Sequence, residues 1–171
     1  MPSLHPLSSI PPAMKTPTQA ASQPVSPLEA HLGFWLRFVS NHVSLQFQKL
    51  VEANGVTVSE WVALRLLYGS SAATPVELMD ALGMTKGAIS KIVTRLEKKG
   101  LLARATSISD RRAQVLVLTD AGRELVPRLA QLADQNDDAF FGHMPAEQRA
   151  AVMAAMQQVV AVHKLKMMPV E

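Results

Sequence analysis

After Gly100 the hydrophobic period of this chain changes from 3.6 residues to 2. MTKGAISKIVTRLEKKG, residues 84–100, repeats its apolar positions as a helix does. LLARAT and AQVLVLT, which follow, alternate as strands do around the polar stretch SISDRR. The segment before, TPVELMDALG, is itself a short helix, with Thr74 as cap and Pro75 in its first turn. Two short helices joined through Leu82, Gly83, Met84 and Thr85 predict a helix-turn-helix, and a hairpin directly after it predicts a winged helix.

Helices are predicted on both sides. SPLEAHLGFWLRFVSNHVSLQFQKLVEANG reads as one long helix capped by Ser26, with Pro27 in its first turn and Gly55 as its stop. TVSEWVALRLLYG is a second, capped by Thr57 or Ser59. Thr119 caps a third that runs to about Phe141, and Pro145 opens the last. The expected fold class is mainly α (α+β): a winged helix-turn-helix with a two-stranded β-hairpin wing and long terminal helices. Residues 1–25 are expected to be a disordered Pro/Ser-rich tail, since residues 1–27 hold seven of the eleven prolines and one charge. The folded domain is then 26–171, with the winged part at about 57–118.

Charge is distributed unevenly along the chain. Residues 84–112 carry eight Lys and Arg against Glu97 and Asp110, a local net of +6, while the other residues carry nine bases and twelve acids, a net of −3. A basic segment on an acidic body is the footprint expected for nucleic acid; a solvated helix face is the plainer alternative. No cysteine is present, which excludes disulfides, cysteine-ligated zinc and thiol chemistry. No apolar run approaches the roughly 20 residues that span a bilayer, and the N-terminus lacks the pattern of a secretory signal. A cytoplasmic protein without a membrane partner is expected.

Around the helix of residues 84–100, at about 100° per residue, Ile89, Ile92, Val93 and Leu96 fall on one side. Gly87, Lys91, Thr94 and Lys98 lie opposite, flanked by Ser90 and Arg95. Small residues there let bases come close, and the cations and hydroxyls suit phosphates, so this face can enter a major groove. The hairpin tip offers Arg111 and Arg112 on a slender ribbon suited to a minor groove. Asp110 either holds Arg112 in direction or is an ordinary turn residue.

VELMDALGMTKGAISKIVTRLEKKGLLARATSISDRRAQVLVLTDAGREL, residues 76–125, resembles the winged helix-turn-helix of the MarR family of bacterial transcription regulators. The matching features are the recognition helix with Ser90, RLEKKGLL, the SDRR tip and LVLTDAG after it. With the flanking helices, the likeness covers roughly residues 28–165. The resemblance implies DNA contacts from Lys86, Gly87, Ser90, Lys91, Thr94 and Arg95 on the helix and from Asp110, Arg111 and Arg112 on the wing. It also implies a homodimer on a pseudo-palindromic double-stranded operator, with helices at about 27–54 and 119–166 as the dimerisation elements. A small aromatic or acidic effector, and a repressor released by it, belong to the same expectation. The absence of cysteine excludes the family's peroxide-sensing branch. Independently of the resemblance, Phe34, Leu36 and Phe38 at one end and Val152, Met153, Met156, Val159, Val160 and Val162 at the other make wide apolar faces that call for a partner surface.

Little else suggests chemistry. There is no glycine-rich phosphate loop and no histidine pair at zinc spacing, so neither an enzyme nor a cofactor is expected. Asp134, Asp137, Asp138 and His143 form an acidic cluster for which a solvated helix face is favoured over a metal site. Trp35 and His42, with Trp61 and Arg65, either line an effector pocket or pack and pair in ordinary ways. Three function classes are weighed: a ligand-responsive DNA-binding regulator, which the +6 segment favours over a winged-helix protein-interaction module without DNA binding, and a small enzyme, against which the missing catalytic constellation counts.

Overall fold

Four of the helix starts are written in a short local signal. The computed structural model describes residues 25–70, 72–106 and 114–165. Within them, α1 is Leu32–Glu52, α2 Val58–Tyr68, α3 Pro75–Leu82 and α4 Lys86–Lys98. The strands β1, Leu102–Thr106, and β2, Gln114–Leu118, are followed by α5, Asp120–Phe141, and α6, Ala146–His163. The threonines at positions 57, 74, 85 and 119 each accept a backbone N–H three residues on, which satisfies one of the unpaired donors of a helix start. Thr57 rather than Ser59 therefore caps α2. The turn from α3 to α4 rests on Gly83, whose left-handed φ of 62° strains any side chain.

The two strands pair antiparallel, Leu102 against Leu118 and Thr106 against Gln114. A single residue, Ala73, adds to the outer side of β2 by exchanging two backbone hydrogen bonds with Leu116, at 3.1 and 2.7 Å. One residue has no periodicity, so this third strand position has no signature in the sequence. The core is built from Leu64 and Leu67 of α2, Leu82 of α3, Leu96 of α4, Leu116 of β2 and Leu129 of α5, all essentially inaccessible. Val51 of α1 closes it from the side. The start of α5 docks on the turn between α4 and β1, where the Thr119 hydroxyl donates to the Gly100 carbonyl at 2.6 Å. A Cβ at position 122 would lie 2.2 Å from the Leu101 carbonyl oxygen, so only glycine allows this approach.

The N-terminal helix departs from expectation. Ser26 makes no cap: a 3₁₀ turn, Leu28–Ala30, comes first, His31 is extended, and α1 begins at Leu32. Side chains take the carbonyls that a continuous helix would use. His31, in its Nδ1–H tautomer, donates to the Pro27 carbonyl at 3.1 Å, and the Trp35 indole donates to the Glu29 carbonyl at 2.9 Å. From there α1 keeps its N-terminal half exposed, and α6 buries none of its residues. An ion pair from Arg149 to Asp137 ties α6 to α5. Among the described residues no helix is long and apolar enough to cross a membrane.

Candidate nucleic-acid interface

The expected stripe of α4, Ile89, Ile92, Val93 and Leu96, is the buried one, each residue at most 3% exposed. Packing this stripe fixes the rotation of the helix and turns Lys86, Gly87, Ser90, Lys91, Thr94 and Arg95 outward. A Cβ at Gly87 would meet nothing within 4 Å, so internal packing does not demand a small residue there. Ser90, Lys91, Thr94 and Arg95 line one shallow hollow on this outer face. The helix start is capped by Thr85, whose hydroxyl accepts from the Ala88 N–H at 3.3 Å. The positive end of the helix dipole therefore lies beside Lys86 and Gly87.

Beside this face runs a groove of about 260 Å³ between α3 and α4, lined also by Arg104 of β1. Met79, Ile89 and Val93 make its floor, and Lys86, Ser90 and Arg104 stand at its rim. Arg104 is held there by Glu97, with contacts of 2.9 and 3.4 Å from Nε and Nη2 to the two carboxylate oxygens. The N-terminus of α3 carries a second carboxylate, Glu77. The backbone N–H of Thr74, and then its hydroxyl, hold its carboxyl below the usual carboxylate range.

Glu60 had no place among the sequence candidates. It sits in the first turn of α2 with no accessible side-chain surface, and two cations converge on it, Arg95 of α4 and Lys99 just past the end of that helix. Lys99 Nζ donates to its Oε2 at 2.6 Å, and Arg95 Nε lies 3.2 Å from Oε1. The signal that could have found it is TVSE, a threonine with glutamate three residues later before an apolar run. That signal gives the cap but not the burial.

The pocket candidates are not brought together within the chain. Trp61 is 8% exposed and packs edge-on against Phe47, their ring centroids 6.4 Å apart. Trp35 is 47% exposed and clusters with Phe34 and Phe38. Trp35 and Phe47 are twelve residues apart on one helix, about 18 Å along its axis. His42 lies tilted against Phe38, with ring centroids 4.6 Å apart, and hydrogen-bonds its carbonyl, and Arg65 is exposed on α2. Asp110, Arg111 and Arg112, and the tail up to residue 24, lie outside the described residues. Among the described residues no three His, Asp or Glu side chains gather as a metal site, and Asp137 of the acidic cluster is engaged by Arg149.

A sequence model of the MarR family matches residues 54–113, the helix-turn-helix and the start of the wing. Over that part the chain is similar to MarR-family proteins. The HTH-type transcriptional repressor Rv2887 of Mycobacterium tuberculosis is 28% identical to this chain over 121 residues, 71% of this chain and 87% of that protein. Two solved structures share the fold. BpsR of Bordetella bronchiseptica, whose DNA binding is regulated by 6-hydroxynicotinic acid, superposes with a TM-score of 0.68 at 24% identity, over 80% of this chain and 97% of that one. A mutant MarR from E. coli in complex with operator DNA gives 0.66 at 22% identity, over 75% and 93%.

Proposed function

We propose that this chain is a sequence-specific DNA-binding transcriptional regulator, working as a homodimer that represses until a small molecule releases it. The observation that carries the DNA reading is the outer face of α4. Its cations and small residues are exposed, its apolar stripe is spent on the core, and Gly87 is small for no internal reason. Such a face combines phosphate-binding charge with room for base edges. On this reading Lys86, Gly87, Ser90, Lys91, Thr94 and Arg95 enter a major groove, and Arg111 and Arg112, oriented by Asp110, reach a flanking minor groove.

The dimer reading is supported by surface that one protomer leaves uncovered. Val152, Met153, Val159, Val160 and Val162 of α6 are each 47% exposed or more, and Trp35, Leu36 and Phe38 of α1 more than 40%. Two copies that bury these arms on each other would place two α4 helices about one DNA turn apart, on the half-sites of a pseudo-palindrome. Repression is supported by the mycobacterial repressor's name, and an aromatic acid as effector by the regulation of BpsR. Trp35 and His42 stand on the exposed half of α1. A pocket that also includes Trp61 and Arg65 would need the second copy to complete it.

Selection of bound fragments from random genomic DNA tests the proposal. Fragments should be retained in a salt-dependent way and share an inverted repeat, and light scattering should give twice the chain mass. Lys91→Ala should lose ~1–3 kcal/mol on the selected operator and relax one symmetric base position, with little change on random DNA. Absence of any DNA complex at low salt would leave the protein-interaction reading in its place.

A further inference from the structure

A carboxylate with no accessible surface is costly unless its charge and lone pairs are answered. Glu60 is such a group. Its Oε2 accepts from the Thr57 backbone N–H at 2.9 Å and from Lys99 Nζ at 2.6 Å, and Lys99 also donates to the Gly55 carbonyl at 2.8 Å. Its Oε1 faces Arg95 Nε at 3.2 Å, without an aligned hydrogen bond. Capping α2 does not require this burial, since Glu77 caps α3 in the same way from an exposed position.

Arg95 connects this buried charge to the outer face of α4. Its side chain is half exposed, with Nε turned to Glu60, and it lines the same hollow as Ser90, Lys91 and Thr94. We propose that Glu60 is a positioning residue for DNA recognition: it anchors the guanidinium of Arg95 from beneath, so that the remaining N–H groups are presented to the operator in one direction. The inference rests on the DNA-binding reading above. An arginine fixed before the encounter loses less side-chain freedom on binding, worth about three- to tenfold in affinity. The benefit falls on the operator, where a fixed direction finds a fixed acceptor. On random DNA a mobile cation does as well.

The two physical effects of Glu60 have opposite signs, which makes the idea testable. Charge alone predicts that removing an acid near the DNA face tightens binding to all DNA. Positioning predicts weaker operator binding. Glu60→Gln keeps the shape and an acceptor for the Thr57 N–H but removes the charge that holds Arg95. Dissociation constants would be measured for a selected genomic operator fragment and a random duplex. The proteins are wild type, Glu60→Gln, Arg95→Ala and the double variant, with thermal melts alongside.

Glu60→Gln should weaken the operator complex about three- to tenfold, with random DNA unchanged or tighter. In the Arg95→Ala background the same change should alter operator affinity by less than about twofold, because the residue it acts through is gone. Equal losses in both backgrounds would mean that Glu60 only supports the fold, and a tighter operator complex would mean that it sequesters Arg95. Either result overturns the proposal. If Glu60→Gln does not fold, Arg95→Lys decides: it keeps the charge without the planar fork and should bind the operator as poorly as Arg95→Ala. Wild-type affinity in Arg95→Lys would overturn the proposal. A wild-type protein that forms no DNA complex fails the DNA reading and this one with it, whereas a wild-type complex with additive losses fails only the role of Glu60.

Discussion

TVSE at 57–60 and TPVE at 74–77 are one local device in two settings. In both, the threonine hydroxyl accepts the glutamate's backbone N–H at 3.2 Å, and the glutamate carboxylate accepts the threonine's N–H in return. The helices they open, α2 and α3, are successive elements of the winged core. Yet Glu77 stands in solvent and serves its own helix, while Glu60 is buried under α4 and holds two cations from a segment 35 to 39 residues away. A capping carboxylate is thus a ready-made acceptor. Whether it becomes part of a tertiary network depends on what the fold lays over it.

The largest expected difference between the two sites is in stability. Glu60→Ala removes the carboxylate that offsets Lys99 and Arg95 at a buried position and leaves a void beside the core. The loss should be about 3 kcal/mol, with solvent at the partly exposed cations keeping it at the low end of the range for a fully buried pair. Glu77→Ala should cost much less. Urea denaturation of both variants measures the contrast, and equal costs would mean that burial of Glu60 has no energetic consequence. The threonines should behave alike. Thr57→Ala and Thr74→Ala each remove one cap, worth roughly 1 kcal/mol apiece. A much larger loss at Thr57 would show that its hydroxyl serves the Glu60 network as well as the helix end.

This contrast also marks how far the sequence can be read. The caps at Thr74 and Thr119, the buried stripe of α4 and the change of period at Gly100 were all legible, because each depends on residues within one or two turns. The choice between Thr57 and Ser59 was legible too, had Glu60 been counted three residues from Thr57. The partner of Glu60 was not. Lys99 belongs to a run of basic residues, and nothing local distinguishes the lysine that turns inward from Lys98, which stays out. The single-residue strand at Ala73 failed for a related reason, since its signal is a backbone pairing with Leu116, 43 positions on. At α1 the error had another source. Ser26, Pro27 and Glu29 spell a helix start, but the Trp35 indole and the His31 ring capture the carbonyls of Glu29 and Pro27. Long side chains from the next turn outweighed a cap signal. The outer face of α4 was readable as a face, whereas the pinning of Arg95 by Glu60 from another helix was not.

The smallest effect belongs to Glu77 and concerns pH. The Thr74 backbone N–H, and secondarily its hydroxyl, hydrogen-bond the ionised carboxylate and hold its pKa below the ordinary value of 4.5. A carboxyl depressed in the folded state contributes stability that is fully present above its unfolded pKa. The contribution fades as pH falls below 4.5 and is gone once pH has dropped through the folded value. Carboxyl-carbon NMR titration should therefore find Glu77 titrating below the ordinary range. In Thr74→Ala the hydroxyl is lost and the backbone N–H remains, so the midpoint should rise only part of the way. A full return to the ordinary value would assign the depression to the hydroxyl alone. An unchanged midpoint would assign it to the backbone, and would make the exposed box a purely main-chain cap, further from the Glu60 network than its sequence suggests.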